Sequence, residues 1–260
     1  MTGLALKRGK LQAKERLIVA LDVSSKDEAI RLIELLKDEV GMFKIGLELF
    51  TSCGTELFAV AKQHNAKVFF DGKFHDIPNT ISGACKAAVA HGVELFNLHA
   101  IGGSAMMKAA SEAVKAAHGD SKSPRPALIA VTILTSMDAR TLRDELKVEL
   151  PLSEMVPYLA KMAKEAGLDG VVASALEAKS IRDAVGEDFL IVTPGIRPAF
   201  ASTDDQSRIV TPAQALSYGS DYIVVGRPIL KHQSPVEAAR LVVAELGSAG
   251  LILTFFWRSN

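Results

Sequence analysis

The stretch LIVALD at residues 17–22, the helical pattern at 26–40 and the stretch MFKIG at 42–46 together decide the fold. The two short runs are largely apolar without strict alternation, which is typical of strands in a sheet that is covered on both faces. The segment between them has apolar residues at helical spacing and is long enough to cross back over the sheet. This unit predicts two parallel strands joined by a helix.

The same alternation continues through the 260-residue chain. Predicted strands lie at 17–22, 42–46, 67–71, 95–99, 128–132, 170–173, 190–193 and 222–225, and predicted helices at 26–40, 54–64, 80–91, 103–118, 153–166, 175–185, 211–217 and 235–246. Eight strands in this alternation favour an α/β fold, a closed (β/α)8 TIM barrel, over an open sheet of seven strands.

We expect a single barrel domain over residues 1–260. A polar extension at 1–16 precedes the barrel, and an apolar tail at 247–260, which holds the only tryptophan, follows it. The tail is interpreted as a segment docked on the barrel exterior, as a subunit contact, or as a non-native extension.

Composition excludes several classes of function. Thirty basic and 30 acidic residues balance, so no overall charge attracts nucleic acid or an acidic membrane surface. No apolar run reaches the ~20 residues of a membrane span, and residues 1–16 lack the apolar core of a secretory signal. Cys53 and Cys85, the two cysteines, have no metal-ligand spacing. These features predict a cytoplasmic protein that binds neither nucleic acid nor membrane.

Charged residues lie at the ends of the first three predicted strands. Asp22 ends the first strand, Lys44 lies within the second, and Asp71 ends the third, followed by Lys73 and Asp76. A charge within an apolar strand is costly unless it is paired, and barrel enzymes place their chemistry at the carboxyl ends of the strands. Alone, Asp22 or Asp76 is explained as a helix cap and Lys44 as a structural ion pair. Together they predict a charged cluster at the barrel mouth.

A phosphate site is predicted after the last two strands. Gly226 and Arg227 follow the eighth strand, and Arg197 lies in the loop after the seventh. In barrels these loops commonly bind phosphate through backbone N–H groups, and an adjacent arginine can hold the anion with two hydrogen bonds. The polar connections at 135–152 and 194–210 are candidate lids. His99, at the end of the fourth strand, is interpreted as a structural group.

The stretch DGKFHDIPNT at residues 71–80 resembles the signature of the orotidine 5'-phosphate decarboxylase family. Further segments resemble the family in the same order: ALD at 20–22, FKIG at 43–46, HA at 99–100, VTILTS at 131–136, TPGIR at 193–197, DQSR at 205–208 and VGR at 225–227. The resemblance implies a (β/α)8 barrel that converts orotidine 5'-phosphate to uridine 5'-phosphate in pyrimidine biosynthesis. No nicotinamide or flavin fingerprint is visible, so neither a cofactor nor a metal is expected.

The resemblance also implies a role for each matched residue. Lys73 is the implied proton donor, in a catalytic network with Asp71 and Asp76. The implied substrate contacts are Asp22 and Lys44 at the ribose, Thr135 and Ser136 at the pyrimidine, Arg197, Gln206, Gly226 and Arg227 at the phosphate, and the other signature residues Gly72, Phe74, His75, Ile77, Pro78, Asn79 and Thr80. Asp76 and Thr80 are implied to reach the site of a partner subunit, so a homodimer is expected.

One position departs from the family pattern. Gly72 stands where a larger apolar residue is usual. Glycine is therefore expected to loosen the strand end between Asp71 and Lys73.

Two other functions remain open on the sequence. A magnesium-dependent sugar-phosphate decarboxylase or aldolase shares the D-x-K-x-x-D core, but IPNT at 77–80 and LTS at 134–136 favour the pyrimidine enzyme. Activity lost with a chelator and restored by Mg²⁺ would identify this alternative. A barrel that binds nucleotides without catalysis is the second alternative, and the complete set of Asp71, Lys73 and Asp76 argues against it. Uridine 5'-phosphate binding without CO2 release would identify it.

Overall fold

The computed structural model of the chain describes residues 11–201 and 210–257, with side chains as far as residue 248. Within these ranges, eight parallel strands close into a barrel in sequence order, with the first strand paired to the eighth. The strands are β1 (Leu17–Ala20), β2 (Met42–Ile45), β3 (Val68–Phe74), β4 (Leu95–His99), β5 (Ala127–Val131), β6 (Gly170–Val172), β7 (Leu190–Thr193) and β8 (Tyr222–Val225). The (β/α)8 barrel predicted from the alternation is confirmed.

Helices surround the barrel. In the described part of the chain they are α1 (Lys26–Leu36), α2 (Leu47–Cys53), α3 (Glu56–Gln63), α4 (Pro78–His91), α5 (Gly103–His118), α6 (Leu152–Glu165), α7 (Ala178–Val185), α8 (Pro212–Ser217), α9 (Arg227–Leu230) and α10 (Pro235–Trp257). None of these helices combines the length and apolar character that crossing a membrane requires.

The sequence prediction lacks the four-residue helix α9, and α2, β3 and α10 also differ from it. The prediction lacks α2, a seven-residue helix that Gly54, with φ of +66°, separates from α3. β3 extends to Phe74, beyond the predicted end at residue 71, because its backbone bulges and then pairs again with β4. α10 continues to Trp257, so most of the expected tail at 247–260 belongs to this helix.

The barrel interior is a column of apolar side chains from alternate strand positions. Its buried members are Ile18, Ala20, Met42, Phe69, Leu95, Ala127, Ile129, Leu190, Val192, Tyr222 and Val224. Side chains alternate between the two faces of a strand. The residue two positions after the last apolar residue of this column therefore also points into the barrel. On β1 to β4 that next inward position is Asp22, Lys44, Asp71 or Asn97. The apolar column therefore ends in a polar layer at the carboxyl end of the barrel.

At the opposite end of the barrel, three carboxylates each precede a strand and accept a backbone N–H from the previous strand. The pairs are Glu94 with Val68 (2.7 Å), Asp169 with Leu128 (2.8 Å) and Asp221 with Ile191 (2.8 Å). Arg125 pairs with Asp169, and Arg182 pairs with Asp221. These side chains fix the amino-terminal ends of neighbouring strands against each other, away from the polar layer.

Candidate active site

The polar layer contains a row of alternating charges, which we call the charged row: Asp22, Lys44, Asp71 and Lys73. Lys44 Nζ lies 3.2 Å from Asp22 Oδ1 and 3.5 Å from Asp71 Oδ2. The second oxygen of Asp71, Oδ1, accepts a hydrogen bond from Lys73 Nζ at 2.8 Å. β1, β2 and β3 position these side chains, so the structure brings together four of the predicted site residues.

The backbone at Lys73 is irregular. Lys73 has φ of +49°, in the left-handed region, and the pairing of β3 with β4 shifts between Phe70 and Phe74. A regular strand would place Asp71 and Lys73 on one face by alternation alone. Here a bulge directs the lysine, and bulges commonly redirect side chains next to active sites.

Gly72 lies beneath two phenylalanine rings. A Cβ at this position would lie 2.9 Å from Phe70 Cζ and 3.0 Å from Phe74 Cε1. The rings of Phe70 and Phe74 pack edge to face with their centroids 5.6 Å apart, and Phe74 also packs on Phe96. Aromatic rings thus occupy the space that a larger side chain at position 72 would need, and they pack against the backbone between Asp71 and Lys73.

Asp71 is held in its charged form. Burial by itself raises the pKa of this carboxyl group, which is 9 % exposed. The positive charges of Lys44 and Lys73, with hydrogen bonds from Lys73 and Asn97, outweigh burial and bring the pKa below its ordinary value. Asp71 therefore remains a carboxylate at neutral pH despite its position in the barrel.

Asn97 on β4 is a site residue that the sequence prediction misses. Its fully buried side chain donates from Nδ2 to Asp71 Oδ1 at 2.7 Å and accepts the Lys73 N–H at Oδ1 at 2.8 Å. A usable signal exists in the sequence, because Asn97 follows the inward-facing Leu95 by two residues, as Asp71 follows Phe69. The sequence prediction rests on ionisable groups at strand ends, and the amide of Asn97 is not ionisable.

His99 lies at the end of the same strand, beside His75. The two ring centroids are 5.6 Å apart. Burial, and then the positive charges of His75 and Lys73, lower the pKa of His99. The lowered pKa favours a neutral imidazole next to the charged row, and the structural interpretation of His99 stays a prediction.

The second half of the signature run leaves the charged row. Asp76, Ile77, Pro78, Asn79 and Thr80 are all exposed, and Pro78 is the first residue of α4. The Asp76 carboxylate accepts the N–H of the next residue, Ile77, at 2.6 Å. Ile77 occupies the helix-cap position, so the alternative interpretation of Asp76 as the cap of this helix is wrong. Asp76 and Thr80 present their side chains to the surface of the subunit.

A cavity of about 470 Å³ opens where β7 and β8 end. It is lined by Arg197, Phe200, Ala201, Arg227, Pro228, Lys231 and His232. Burial lowers the pKa of Arg197, and the positive charge of Arg227 lowers it further, although a guanidinium remains charged. Two guanidinium groups and an ammonium around one cavity favour an anionic ligand.

Five residues of this cavity are absent from the sequence prediction: Phe200, Ala201, Pro228, Lys231 and His232. The His232 ring packs edge-on against Phe200 with a centroid distance of 5.6 Å. Lys231 follows Arg227 by four residues, and α9 joins them in one helical turn. That spacing is the signal that could have identified Lys231.

Gly226 connects the cavity to the charged row. A Cβ here would lie 3.0 Å from Asp22 Oδ2, so glycine allows the carboxylate to approach the loop that carries Arg227. Thr135 and Ser136 are exposed in the connection that follows β5. The predicted residue Gln206, with the central part of the 194–210 connection, lies outside the described residues.

Comparison with known proteins identifies related sequences and structures. The model of the orotidine 5'-phosphate decarboxylase / HUMPS family matches residues 15–242. The chain is 53 % identical to the orotidine 5'-phosphate decarboxylase of Pelobacter propionicus over 90 % of this chain and 96 % of that protein. It is 48 % identical to the Moorella thermoacetica protein of the same name, over 91 % and 94 % of the two chains. The crystal structure of orotidine 5'-phosphate decarboxylase from Lactobacillus acidophilus superimposes with a TM-score of 0.79 and 39 % identity, covering 88 % of this chain and 98 % of that one.

Proposed function

The chain belongs to the orotidine 5'-phosphate decarboxylase / HUMPS family, and we propose that its Lys73 protonates C6 of the substrate pyrimidine. The protein is a carboxy-lyase that converts orotidine 5'-phosphate to uridine 5'-phosphate and CO2 in pyrimidine biosynthesis. The observation that carries the proposed role is the charged row, in which Asp71 Oδ1 holds Lys73 Nζ at 2.8 Å at the barrel mouth.

The chemistry of the reaction calls for a cation beside C6. Breaking the bond between C6 and the carboxylate leaves the electron pair on C6, where no adjacent group can delocalise it. An ammonium group held next to this carbon stabilises the developing carbanion electrostatically. Lys73 then transfers a proton to C6 and completes the product, and it regains a proton from solvent. The charged row supplies this electrostatic stabilisation from the protein's own side chains, so we propose that no cofactor takes part.

Asp71 has two roles in this proposal. Its negative charge keeps Lys73 protonated and positioned. It also lies where it would repel the substrate carboxylate, a repulsion that is relieved as CO2 leaves. In this proposal the larger effect is the stabilisation of the carbanion by Lys73.

The remaining predicted residues are proposed to bind the non-reacting parts of the substrate. Asp22 and Lys44 hold the ribose hydroxyls, Thr135 and Ser136 contact the pyrimidine, and Arg197, Gln206, Gly226 and Arg227 bind the phosphate. The cavity beside Arg197 and Arg227 supports the last assignment, because it concentrates positive charge at the ends of β7 and β8. Binding energy from the distant phosphate offsets the cost of desolvating the charges at the reacting end.

We propose that the enzyme acts as a homodimer in which Asp76 and Thr80 reach the partner's site. Both residues are exposed beside the barrel mouth, and neighbouring apolar side chains are exposed there as well, Ile77 at 66 % and Ile101 at 50 %. A second copy of the chain would cover these apolar groups and bring Asp76 towards the other subunit's Lys73. A cytoplasmic location is part of the proposal and is supported by two cysteines without a disulfide.

The test of the Lys73 assignment follows the loss of orotidine 5'-phosphate absorbance with EDTA present. We expect Lys73→Ala to lower kcat by at least about 10³-fold, since it removes both the proton donor and the stabilising charge. Lys26→Ala is the matched control, because Lys26 forms an exposed ion pair with Glu56 on the barrel exterior. Equal rates for wild type and Lys73→Ala would show that the assignment is wrong.

Two further measurements test the alternative functions. Activity that EDTA abolishes and Mg²⁺ restores would identify a metal-dependent sugar-phosphate enzyme. Binding of uridine 5'-phosphate without release of CO2 from orotidine 5'-phosphate would identify a non-catalytic nucleotide-binding barrel.

A further inference from the structure

We infer that Asn97 is a positioning residue for the decarboxylation, because its amide holds the carboxylate of Asp71 with one end and the backbone of Lys73 with the other. The inference rests on the proposed function of Lys73. It concerns a residue that is not ionisable and that is fully buried next to the charged row.

The hydrogen bonds determine which way the Asn97 amide points. The Lys73 N–H can only donate, so the amide atom that faces it at 2.8 Å must be the carbonyl oxygen. The Asp71 carboxylate can only accept, so the atom that faces it at 2.7 Å must be the amide nitrogen. No other orientation of the side chain satisfies both partners.

The two contacts fix the parts of the bulge that matter for the reaction. Asp71 Oδ1 accepts both Asn97 Nδ2 and Lys73 Nζ, so the amide sets the direction from which the ammonium is held. The second contact secures the N–H of a lysine whose φ is +49°. Removing Asn97 would leave that N–H unsatisfied in the barrel and would free the carboxylate to rotate. Lys73 would lose its fixed position relative to C6.

Asn97 does not belong to the substrate-binding surface. Its side chain has no exposed area, so in this structure it offers no surface to a ligand. We therefore expect its replacement to change kcat and to leave KM nearly unchanged. A misplacement of about 1 Å at a catalytic group can cost on the order of 10²-fold in rate.

Asn97→Ala and Asn97→Asp are the test variants, assayed for orotidine 5'-phosphate decarboxylation with kcat and KM determined separately. For Asn97→Ala we expect kcat to fall about 100-fold and KM to stay within about threefold. Ser111→Ala is the matched control, because Ser111 is another buried polar residue, whose hydroxyl donates to the Gly167 carbonyl on the helix side of the barrel. It should lose stability without a change in kcat.

Asn97→Asp supplies a readout that a purely structural role would not give. The aspartate retains the acceptor for the Lys73 N–H but places a second carboxyl group beside Asp71, so the two share a proton and one pKa rises. When protonated, the new carboxyl donates to Asp71 as the amide does. We expect the ratio of its kcat to the wild-type kcat to fall as pH rises, whereas the Asn97→Ala ratio does not.

The other charged groups around Asp71 are the same in every variant. The ratio of a variant's kcat to the wild-type kcat at each pH therefore reports only the change at position 97. These groups come from β1 to β4 and are Asp22, Lys44, Lys73 and His99. Circular dichroism defines the pH range in which each variant is folded, and Asn97→Ser replaces Asn97→Ala if the alanine variant does not fold.

The outcomes separate this inference from the proposed function. If Lys73→Ala is inactive while the Asn97 variants keep wild-type kcat, or if the Asn97→Asp ratio is independent of pH, Asn97 is not a positioning residue and the role of Lys73 stands. If Lys73→Ala retains full activity, the proposed function itself fails.

Discussion

Lys73 has a backbone conformation that is unfavourable for a lysine, and its neighbours stabilise it. A non-glycine residue in the left-handed region costs roughly 1–2 kcal/mol. The Lys73 N–H is bound by Asn97 and its ammonium by Asp71, so the same residues that compensate this strain also position the proton donor. Strain of this kind persists only where the surroundings hold it in place, and it is concentrated at functional sites.

Gly72 gives a direct test of how this strand end is supported. We expect Gly72→Leu to reduce stability by about 1–3 kcal/mol, because its side chain would overlap Phe70 and Phe74. Displacement of the rings would also move the bulge, so kcat should fall more than KM rises. Thermal unfolding and steady-state kinetics measure both effects.

The double variant Gly72→Leu with Phe74→Leu is the control for this prediction. It removes one of the two rings that close the space over Gly72, and it should recover part of the stability lost in the single variant. If Gly72→Leu alone is as stable and as active as wild type, aromatic packing does not replace the missing side chain.

At the scale of elements, the three carboxylates at the amino-terminal end of the barrel differ in how they are neutralised. Asp169 has Arg125 and Asp221 has Arg182 as a salt-bridge partner. Glu94 makes the same backbone contact, but among the described residues Lys67 and Lys62 stabilise its charge only over a longer range, without a salt bridge. Burial therefore dominates, and it raises the pKa of Glu94.

This difference predicts that Glu94→Gln stabilises the protein at neutral pH. Since the pKa of Glu94 is raised on folding, the folded state binds protons more readily than the unfolded state, and stability is lost as pH rises through the folded pKa. Glutamine can still accept the Val68 N–H but carries no charge. The midpoint temperature of thermal unfolding should be higher for Glu94→Gln than for wild type at pH 7. This difference should disappear as pH falls below about 4.

Asp221→Asn is the control, and the opposite sign is expected. It removes the carboxylate from the buried Arg182 guanidinium, which is 7 % exposed, and should cost about 3–5 kcal/mol. If Glu94→Gln lowers the midpoint at pH 7 as well, the burial of Glu94 does not dominate its interactions.

The strand order of the barrel is predictable from sequence because each buried strand of a parallel barrel is a short apolar run between helical segments. The features that the sequence does not predict have physical explanations too. α2 is too short to show helical periodicity before Gly54 ends it. The bulge in β3 is invisible because its cause is tertiary: the packing of Phe70, Phe74 and Asn97 around residues 72 and 73.

The charged row could be anticipated because charges stand out in apolar strands, whereas its geometry could not. Lys44 lies between Asp22 and Asp71 because neighbouring strands follow each other in the chain, but the distances of 3.2 and 3.5 Å depend on side-chain conformations that the sequence does not give. The cavity that contains Lys231 and His232 likewise forms from residues after two strands and has no contiguous motif.

At the scale of the whole molecule, a chain with balanced charge places two arginines and a lysine around the cavity at the ends of β7 and β8. The cavity beside Arg197 and Arg227 lies at the ends of β7 and β8, connected to the charged row where Gly226 meets Asp22. A ligand that fills both parts would carry its anionic group at a distance from the atoms that react. Binding energy at one end can then contribute to catalysis at the other.

Arg227→Ala should therefore lower kcat/KM although Arg227 touches no reacting atom. Loss of a charge-assisted hydrogen bond of about 1.5–3 kcal/mol corresponds to a decrease of about 10- to 100-fold. Arg240→Ala is the matched control, since Arg240 pairs with Glu39 on the outer surface. An unchanged kcat/KM for Arg227→Ala would remove this residue from the phosphate site.

The proposed dimer predicts that two inactive variants recover activity when they are mixed, which a site built from one subunit would not do. If Asp76 acts in the partner's site, Lys73→Ala and Asp76→Ala homodimers each lack one required group in every site. In a mixed dimer, the Asp76→Ala subunit keeps its own Lys73 and receives Asp76 from the Lys73→Ala subunit, so one of the two sites is complete. Random exchange of equal amounts makes half of the dimers mixed, so activity should recover to about a quarter of the wild-type value. A purification tag on one of the two variants controls for exchange itself, because untagged subunits are retained with the tagged ones only in mixed dimers. If two folded variants exchange subunits and no activity is recovered, Asp76 acts in the site of its own subunit. Its exposed position beside the charged row would then have to change when the substrate binds.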